Sequence, residues 1–357
     1  MPMLKWIVAM LLFVALTGAE LSRAQAPAAP TSLPAPPANH APIPPGNADS
    51  VFAQAHRLVQ EGRYDDAISQ LQALEMQTPK PAGLAHQIAA VYYKKSDYVK
   101  ATEYWKQALE QNPKDDEAVQ LLGLSLYLAG RPAEAVPYLE KVQTWFPSAN
   151  VDAAYILGVC YIQAKDYPKA REAFARMFGL PPDSAASYLL TARMLLRQGF
   201  DPVAEEYGRK ALELDPKLPL AHFMLGELYL YKSRIPEAVD ELQKELAINP
   251  GHAATYYKLA DAYSRLQKFD DAERLLQRSI WLDATSTGPY ILMGKVLEKK
   301  GEFELATRAL QRAATMDPNN PITHHLLGQT YRDLGRNDDA DRELKLAEQL
   351  QTLQDNK

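Results

Sequence analysis

Seven histidines, one cysteine and one Gly-Leu-Ser step are the residues of this 357-residue chain whose types could support covalent or metal chemistry. A zinc hydrolase needs two histidines four apart on a helix with a glutamate between them, and no such set occurs. His324 and His325 are adjacent, so on a helix they diverge by about 100° instead of converging. Gly123-Leu124-Ser125 begins like the turn that carries a hydrolase serine, but Tyr127 stands where a second glycine is required. The glycines do not gather into a phosphate-binding loop. Cys160 has no second cysteine for an internal disulfide, and a small residue on a helix reads as inert packing rather than as a reactive thiol. No activated nucleophile and no matched acid and base emerge, so the expectation is a protein that is not an enzyme and carries no metal or cofactor. Arg193 and Arg197, two charges four apart on one helical face, point instead to recognition.

The elements that position these residues repeat. Ala67, Ala101, Ala135, Ala170, Ala204, Ala238, Ala272, Ala306 and Ala340 mark the twentieth place of nine 34-residue copies, with Asn150 as the one inserted residue. Twelve residues earlier the chain has only Ala or Gly: Ala55, Ala89, Gly123, Gly158, Ala192, Gly226, Ala260, Gly294 and Gly328. Two antiparallel helices approach closely where a side chain is no larger than a methyl, so these two places mark a helix crossing. The seventh place is apolar except for Gln54 and Thr191, and the eleventh is always Leu or Tyr; spacings of 7, 8 and 11 describe one helical face. Pro79, Pro113, Pro147, Pro182, Pro216, Pro250 and Pro318 close seven of the first eight copies, and Ala284 interrupts the series.

Stretches such as Lys210 to Pro216 (KALELDP) and Gly301 to Ala306 (GEFELA) resemble the tetratricopeptide repeat in their small-residue, aromatic and proline places, and the resemblance covers 306 of 357 residues. It implies an all-α, right-handed α-solenoid of antiparallel helix pairs over residues 48–353, whose first helices line a concave groove through the second, fifth, ninth, twelfth and thirteenth places. Those places carry Leu124, Tyr127, Leu128, Tyr155, Val159 and Ile162 in the third and fourth copies. Leu189, Arg193, Leu196 and Arg197 follow in the fifth, then Phe223, Glu227, Leu230 and Tyr231 in the sixth. From the seventh onward come Tyr257, Asp261, Arg265, Lys295, Glu298, Lys299, Arg332 and Asp333. The candidate partner-binding residues are Tyr127, Tyr155, Ile162, Arg193, Arg197, Phe223, Glu227, Tyr231, Tyr257, Asp261 and Arg265, which would hold an extended or helical peptide from the third to the seventh copy. Leu124, Val159 and Ile162 could equally pack against the neighbouring helix. Some members of the family clamp a C-terminal carboxylate with lysine and asparagine in the groove; here the ninth place holds no asparagine, which speaks against that mode.

In front of the array, Lys5, an apolar run from Trp6 to Leu16 and small residues through Ala26 read as a secretory signal peptide, 1–24, cleaved after Ala24. Eleven apolar residues are too few to span a bilayer, leaving an uncleaved anchor as the alternative membrane attachment. Residues 25–47 hold eight prolines and read as an extended spacer, 48–353 as the array and 354–357 as a tail. The expected compartment is the periplasm or the extracellular space. Lys+Arg of 39 against Asp+Glu of 44, with no basic tract, excludes nucleic acid as a partner and gives no basic helix for a membrane surface. The second reading is self-association into an envelope component: open-ended arrays stack when their ends are unprotected, and Leu346, Leu350 and Leu353 could form such an edge beside the polar Asp341 and Glu348. His56 and His86, on successive first helices, could face each other, although no third ligand accompanies them.

Overall fold

The structure, a computed structural model, describes residues 48–145 and 151–355; the expected signal segment and spacer lie outside the described residues. The described residues hold eighteen α-helices, two to a copy, and fall into two compact units, 48–214 and 215–355.

The first unit pairs α1 (Ala48–Gln60) with α2 (Tyr64–Ala73), α3 (Leu84–Lys94) with α4 (Tyr98–Gln111), and α5 (Asp116–Leu128) with α6 (Pro132–Trp145). It ends with α7 (Val151–Gln163) against α8 (Tyr167–Met177) and α9 (Ala185–Arg197) against α10 (Asp201–Leu214). The second unit pairs α11 (Ala221–Tyr231) with α12 (Ile235–Ile248) and α13 (Ala253–Arg265) with α14 (Phe269–Leu282). Its last pairs are α15 (Thr287–Lys299) with α16 (Phe303–Met316) and α17 (Pro321–Asp333) with α18 (Asn337–Asp355).

Each hairpin turns at the fifteenth place of its copy, where all nine residues adopt the left-handed conformation, φ running from 57 at Ser233 to 78 at Gly301. Five are glycines, and Ser96, Lys165, Ser233 and Gln267 hold the same conformation despite a Cβ. The next N–H then reaches back to the eleventh carbonyl, as from Arg63 to Leu58 at 2.8 Å and from Glu302 to Leu297 at 2.9 Å. This satisfies a carbonyl that the helix end would otherwise leave open. Some helix starts are capped by side chains: Asp97 accepts from the N–H of Lys100 at 3.2 Å, Asp115 from Ala118 at 2.9 Å and Asn320 from Thr323 at 3.2 Å.

The crossing lies where the small residues predict it. All nine alanines of the twentieth place are fully buried. At the eighth place, a Cβ on Gly158, Gly226, Gly294 or Gly328 would come within 2.4, 2.6, 2.5 and 2.7 Å of Phe174, Leu242, Leu310 and Leu344. The eighth residue therefore packs mainly on the side chain at the twenty-fourth place, one helical turn beyond the alanine. Copies are stitched together at the eleventh place. Gln72, Gln243 and Gln311 each donate to the phenol of the next copy, Tyr92 at 3.4 Å, Tyr263 at 2.9 Å and Tyr331 at 2.8 Å, and the Tyr161 hydroxyl donates to Glu140 of the copy before it. A buried phenol needs such a partner, and the alternative leucine needs none. No helix among the described residues is long and apolar enough to cross a membrane.

Candidate functional site

Within each unit the first helices lie side by side, α5 touching α7 in one and α11, α13, α15 and α17 touching in succession in the other. Two first-helix faces result, and the residues expected to bind a partner divide between them.

On the face of residues 48–214, Leu124 and Tyr127 of α5 and Tyr155 of α7 are half-buried, and Leu128 is 44% exposed. Burial, then the neighbouring Tyr155 and Cys160, push the Tyr127 phenol up, so it remains a hydrogen-bond donor at neutral pH. The Tyr155 ring lies 6.2 Å from that of Phe174. On α9, Arg193 and Leu196 are half-buried and Arg197 is exposed. Ile162, expected to touch a partner, is fully buried, as is Val159, because α7 packs between its neighbours along that side; both serve the core. Cys160 is buried likewise and burial pushes its thiol up to about 12, which keeps it protonated and unreactive.

On the face of residues 215–355, Phe223 is also not available to a partner. It is buried, edge-on to His252 with ring centroids 4.9 Å apart, and its N–H points at Glu245 at 3.3 Å. Four charges on this face are matched in pairs: Glu227 with Lys258 at 3.1 Å, and Arg265 with Asp261 at 2.8 Å. Arg265 also donates to the Leu230 carbonyl at 3.0 Å, tying α13 to α11. Tyr257 is half-buried with Lys258 5.8 Å from its ring centroid, and burial pushes its phenol up. Gly288 leaves room for that ring, since a Cβ there would stand 3.2 Å from its hydroxyl. Tyr231 is 79% exposed.

The histidines take separate partners. His86 meets Asp115 at 2.7 Å instead of facing His56, whose ring lies 3.4 Å from Gln60. His222 meets Glu241 at 2.5 Å and His324 meets Glu343 at 2.6 Å, both from the fourth place of a copy to its twenty-third. Among the described residues no group of three or more His, Cys, Asp and Glu is arranged to hold a metal ion.

One residue with strong local consequences escaped the sequence reading. Glu245 is fully buried and receives the N–H of Leu220 at 3.0 Å, capping α11 where Leu220 itself is left-handed. Burial raises its pKa, while the N–H groups of Leu220 and Phe223 pull the other way. The signal was present: the twenty-seventh place otherwise carries Leu, Ala, Val, Met or Ser.

Two family profiles, each described as Tetratricopeptide repeat, match residues 126–194 and 230–280 in one case and 86–150, 170–219 and 291–348 in the other. With the eighteen paired helices, these matches establish that the chain belongs to the tetratricopeptide repeat family and has its scaffold fold. It is 27% identical over 96 residues to the Homo sapiens intraflagellar transport protein 88 homolog, covering 26% of this chain and 11% of that one. It is 28% identical over 123 residues to a TPR repeat-containing protein of Methanocaldococcus jannaschii, covering 34% and 22%. The chain thus spans between 11% and 22% of the length of these curated relatives. Similar solved structures include pilF of Pseudomonas aeruginosa, with 20% identity, TM-score 0.46 and coverage of 58% of this chain and 97% of that one. Another is YrrB, described as a TPR protein with an unusual peptide-binding site, with 25% identity, TM-score 0.44 and coverage of 51% and 94%.

Proposed function

We propose that this chain is a non-catalytic scaffold, exported to the periplasm or beyond, that holds a peptide segment of a partner protein on the first-helix face of residues 48–214. The observation that carries the reading is the set of half-exposed rings and alkyl groups on α5, α7 and α9 (Leu124, Tyr127, Leu128, Tyr155 and Leu196) beside Arg193 and Arg197. Aromatic and arginine side chains dominate the energy of most protein interfaces, and a phenol with an apolar body can contact a partner's main chain and side chains at once. The bound segment would carry apolar residues followed by a carboxylate for the arginine pair. Export rests on the charged start and apolar run from Lys5 to Leu16.

The test is affinity capture with the chain from Gln25 onward against the exported proteins of its own source, beside an Arg193→Glu, Arg197→Glu variant that folds normally. A protein captured by the first and lost with the second supports this site; capture unchanged by the double reversal sinks it.

A second reading is self-association through the last copy, where Ile322 is 57%, Leu346 36% and Leu353 61% exposed. Light scattering across a concentration series decides: a ladder of masses favours self-association, and a monomer mass throughout removes it.

A further inference from the structure

At the junction of α2, α3 and α4 the twenty-third residue of its copy is Tyr104. Its ring stacks on Tyr92, 5.6 Å between centroids and 20° between planes. Its hydroxyl accepts from Gln72 at 3.4 Å and donates to Glu75 at 3.3 Å, and Lys100 lies 5.2 Å from the Tyr92 ring. A phenol needs one donor and one acceptor, and this junction supplies both.

The same place carries Tyr138 in the third copy and Tyr207 in the fifth, but Ala173 in the fourth. At the junction of α6, α7 and α8 the remaining parts are kept. Tyr161 stands where Tyr92 does, and Lys169 lies 5.4 Å from its ring. The Gln72 and Glu75 places hold Glu140 and Gln143, with donor and acceptor exchanged. Only the twenty-third ring is missing. Its space is a half-open recess of about 320 Å³ bounded by residues that include Glu140, Gln143, Tyr161, Lys169, Ala173 and Arg176. Gln143 is 5% exposed, and its Nε2 is buried with no hydrogen-bond partner.

We propose that this recess binds a phenolic ring supplied by a ligand. The ring stacks on Tyr161 as Tyr104 stacks on Tyr92, its oxygen accepts from Gln143 Nε2, and its proton goes to Glu140, which already accepts from Tyr161. Two observations converge on this occupant: an aromatic-sized space edged by Tyr161, and a buried donor left unpaired among groups that elsewhere in the unit hold a tyrosine. A cavity of about 150 Å³ suffices for benzene, so the volume admits a ring with its polar tip. A buried amide without a partner is costly, and a ligand oxygen at that point removes the cost. The phenol can be a tyrosine side chain of a partner polypeptide or a free small phenol. The site shares no residue with the face assigned to peptide binding and does not depend on that assignment.

The experiment is ligand-observed NMR titration of the full chain with p-cresol and with toluene, for the wild type, Ala173→Tyr and Gln143→Leu. The wild type should bind p-cresol saturably and toluene about tenfold more weakly, the difference a lost hydrogen bond makes. Ala173→Tyr, which supplies the ring from within, should abolish p-cresol binding while melting no lower than the wild type. If Ala173→Tyr does not fold, Gln143→Leu decides, since it should bring p-cresol down to the level of toluene. Competition by N-acetyl-tyrosinamide assigns the ring to a polypeptide, and p-cresol binding without that competition assigns it to a free phenol. Absence of saturable p-cresol binding to the wild type, or binding undiminished in both variants, overturns the proposal.

Discussion

The two units follow one 34-residue plan and differ in what their first-helix faces present. In residues 48–214 the ninth and twelfth places of the third copy hold Leu124 and Tyr127, half-exposed, and the fifth copy adds two arginines. In residues 215–355 comparable places hold Glu227, Asp261 and Arg265, and these are matched internally by Lys258, by each other and by the Leu230 carbonyl. Charges that are already paired offer a partner little, because any new contact must first replace an existing one. A face of rings and alkyl groups gains by being covered. The repeat thus fixes the frame, and the few places it leaves unconstrained set the role of each half.

What the halves share is the crossing, and breaking it should have the largest effect. Gly158→Val and Gly226→Val force a branched side chain into positions where even a Cβ falls 2.4 Å from Phe174 or 2.6 Å from Leu242. Each should lower the unfolding free energy by about 3 kcal/mol, as overpacking of a rigid contact does. Urea unfolding followed by circular dichroism measures this, and a cost near zero for either variant would mean that the crossing yields more easily than its geometry implies.

The binding difference comes next. Arg193→Glu with Arg197→Glu should weaken a captured partner at least about tenfold, or about 1.4 kcal/mol. Asp261→Ala with Arg265→Ala in the other unit should change the affinity by less than about fivefold, since exposed, mutually paired charges contribute at most about 1 kcal/mol. Calorimetric titration of both variants gives the contrast directly; equal losses would erase the distinction between the faces.

A third difference is electrostatic and internal. Glu245 is the carboxylate buried at the start of α11, and burial raises its pKa above the ordinary value. The native chain then keeps a proton that the unfolded chain has released, so this residue's contribution is complete at pH below the ordinary carboxylate range and is lost as pH rises through the native value. The urea midpoint of the wild type should therefore fall relative to that of Glu245→Gln as pH rises from acid toward neutrality. Parallel curves for the two proteins would remove the effect.

Much of the frame was legible in the sequence. The crossing, the stops and the paired helices follow from columns of alanine, glycine and proline whose chemical demands are local. The candidate face was less legible. The twelfth place is buried at Ile162 and Leu230 but half-exposed at Tyr127 and Leu196. That outcome depends on how near the following hairpin packs, which no single residue specifies. Phe223 failed for a similar reason: its ring is enclosed by His252 from the end of the same copy, 29 residues away in the chain. Nor does the period change where one compact unit gives way to the next, because each copy satisfies the same local rules on both sides of Leu214.

The fifteenth place supplies the smallest effect and the cleanest control on this comparison, because it acts inside a single turn. Lys165 in the first unit and Gln267 in the second hold φ of 60 and 59, where the fifteenth place elsewhere is most often glycine. A residue with a Cβ is disfavoured in that region by about 1 kcal/mol, whereas glycine enters it freely. Glycine also loses more freedom on folding, which takes back part of the gain. Lys165→Gly and Gln267→Gly should each therefore raise stability by about 0.5 kcal/mol, equally in both units, and leave partner binding untouched. Differential scanning calorimetry of the two variants measures it. A gain in one unit and a loss in the other would show that the turn is coupled to its unit's packing, and the division between a shared frame and separate faces would have to be drawn elsewhere.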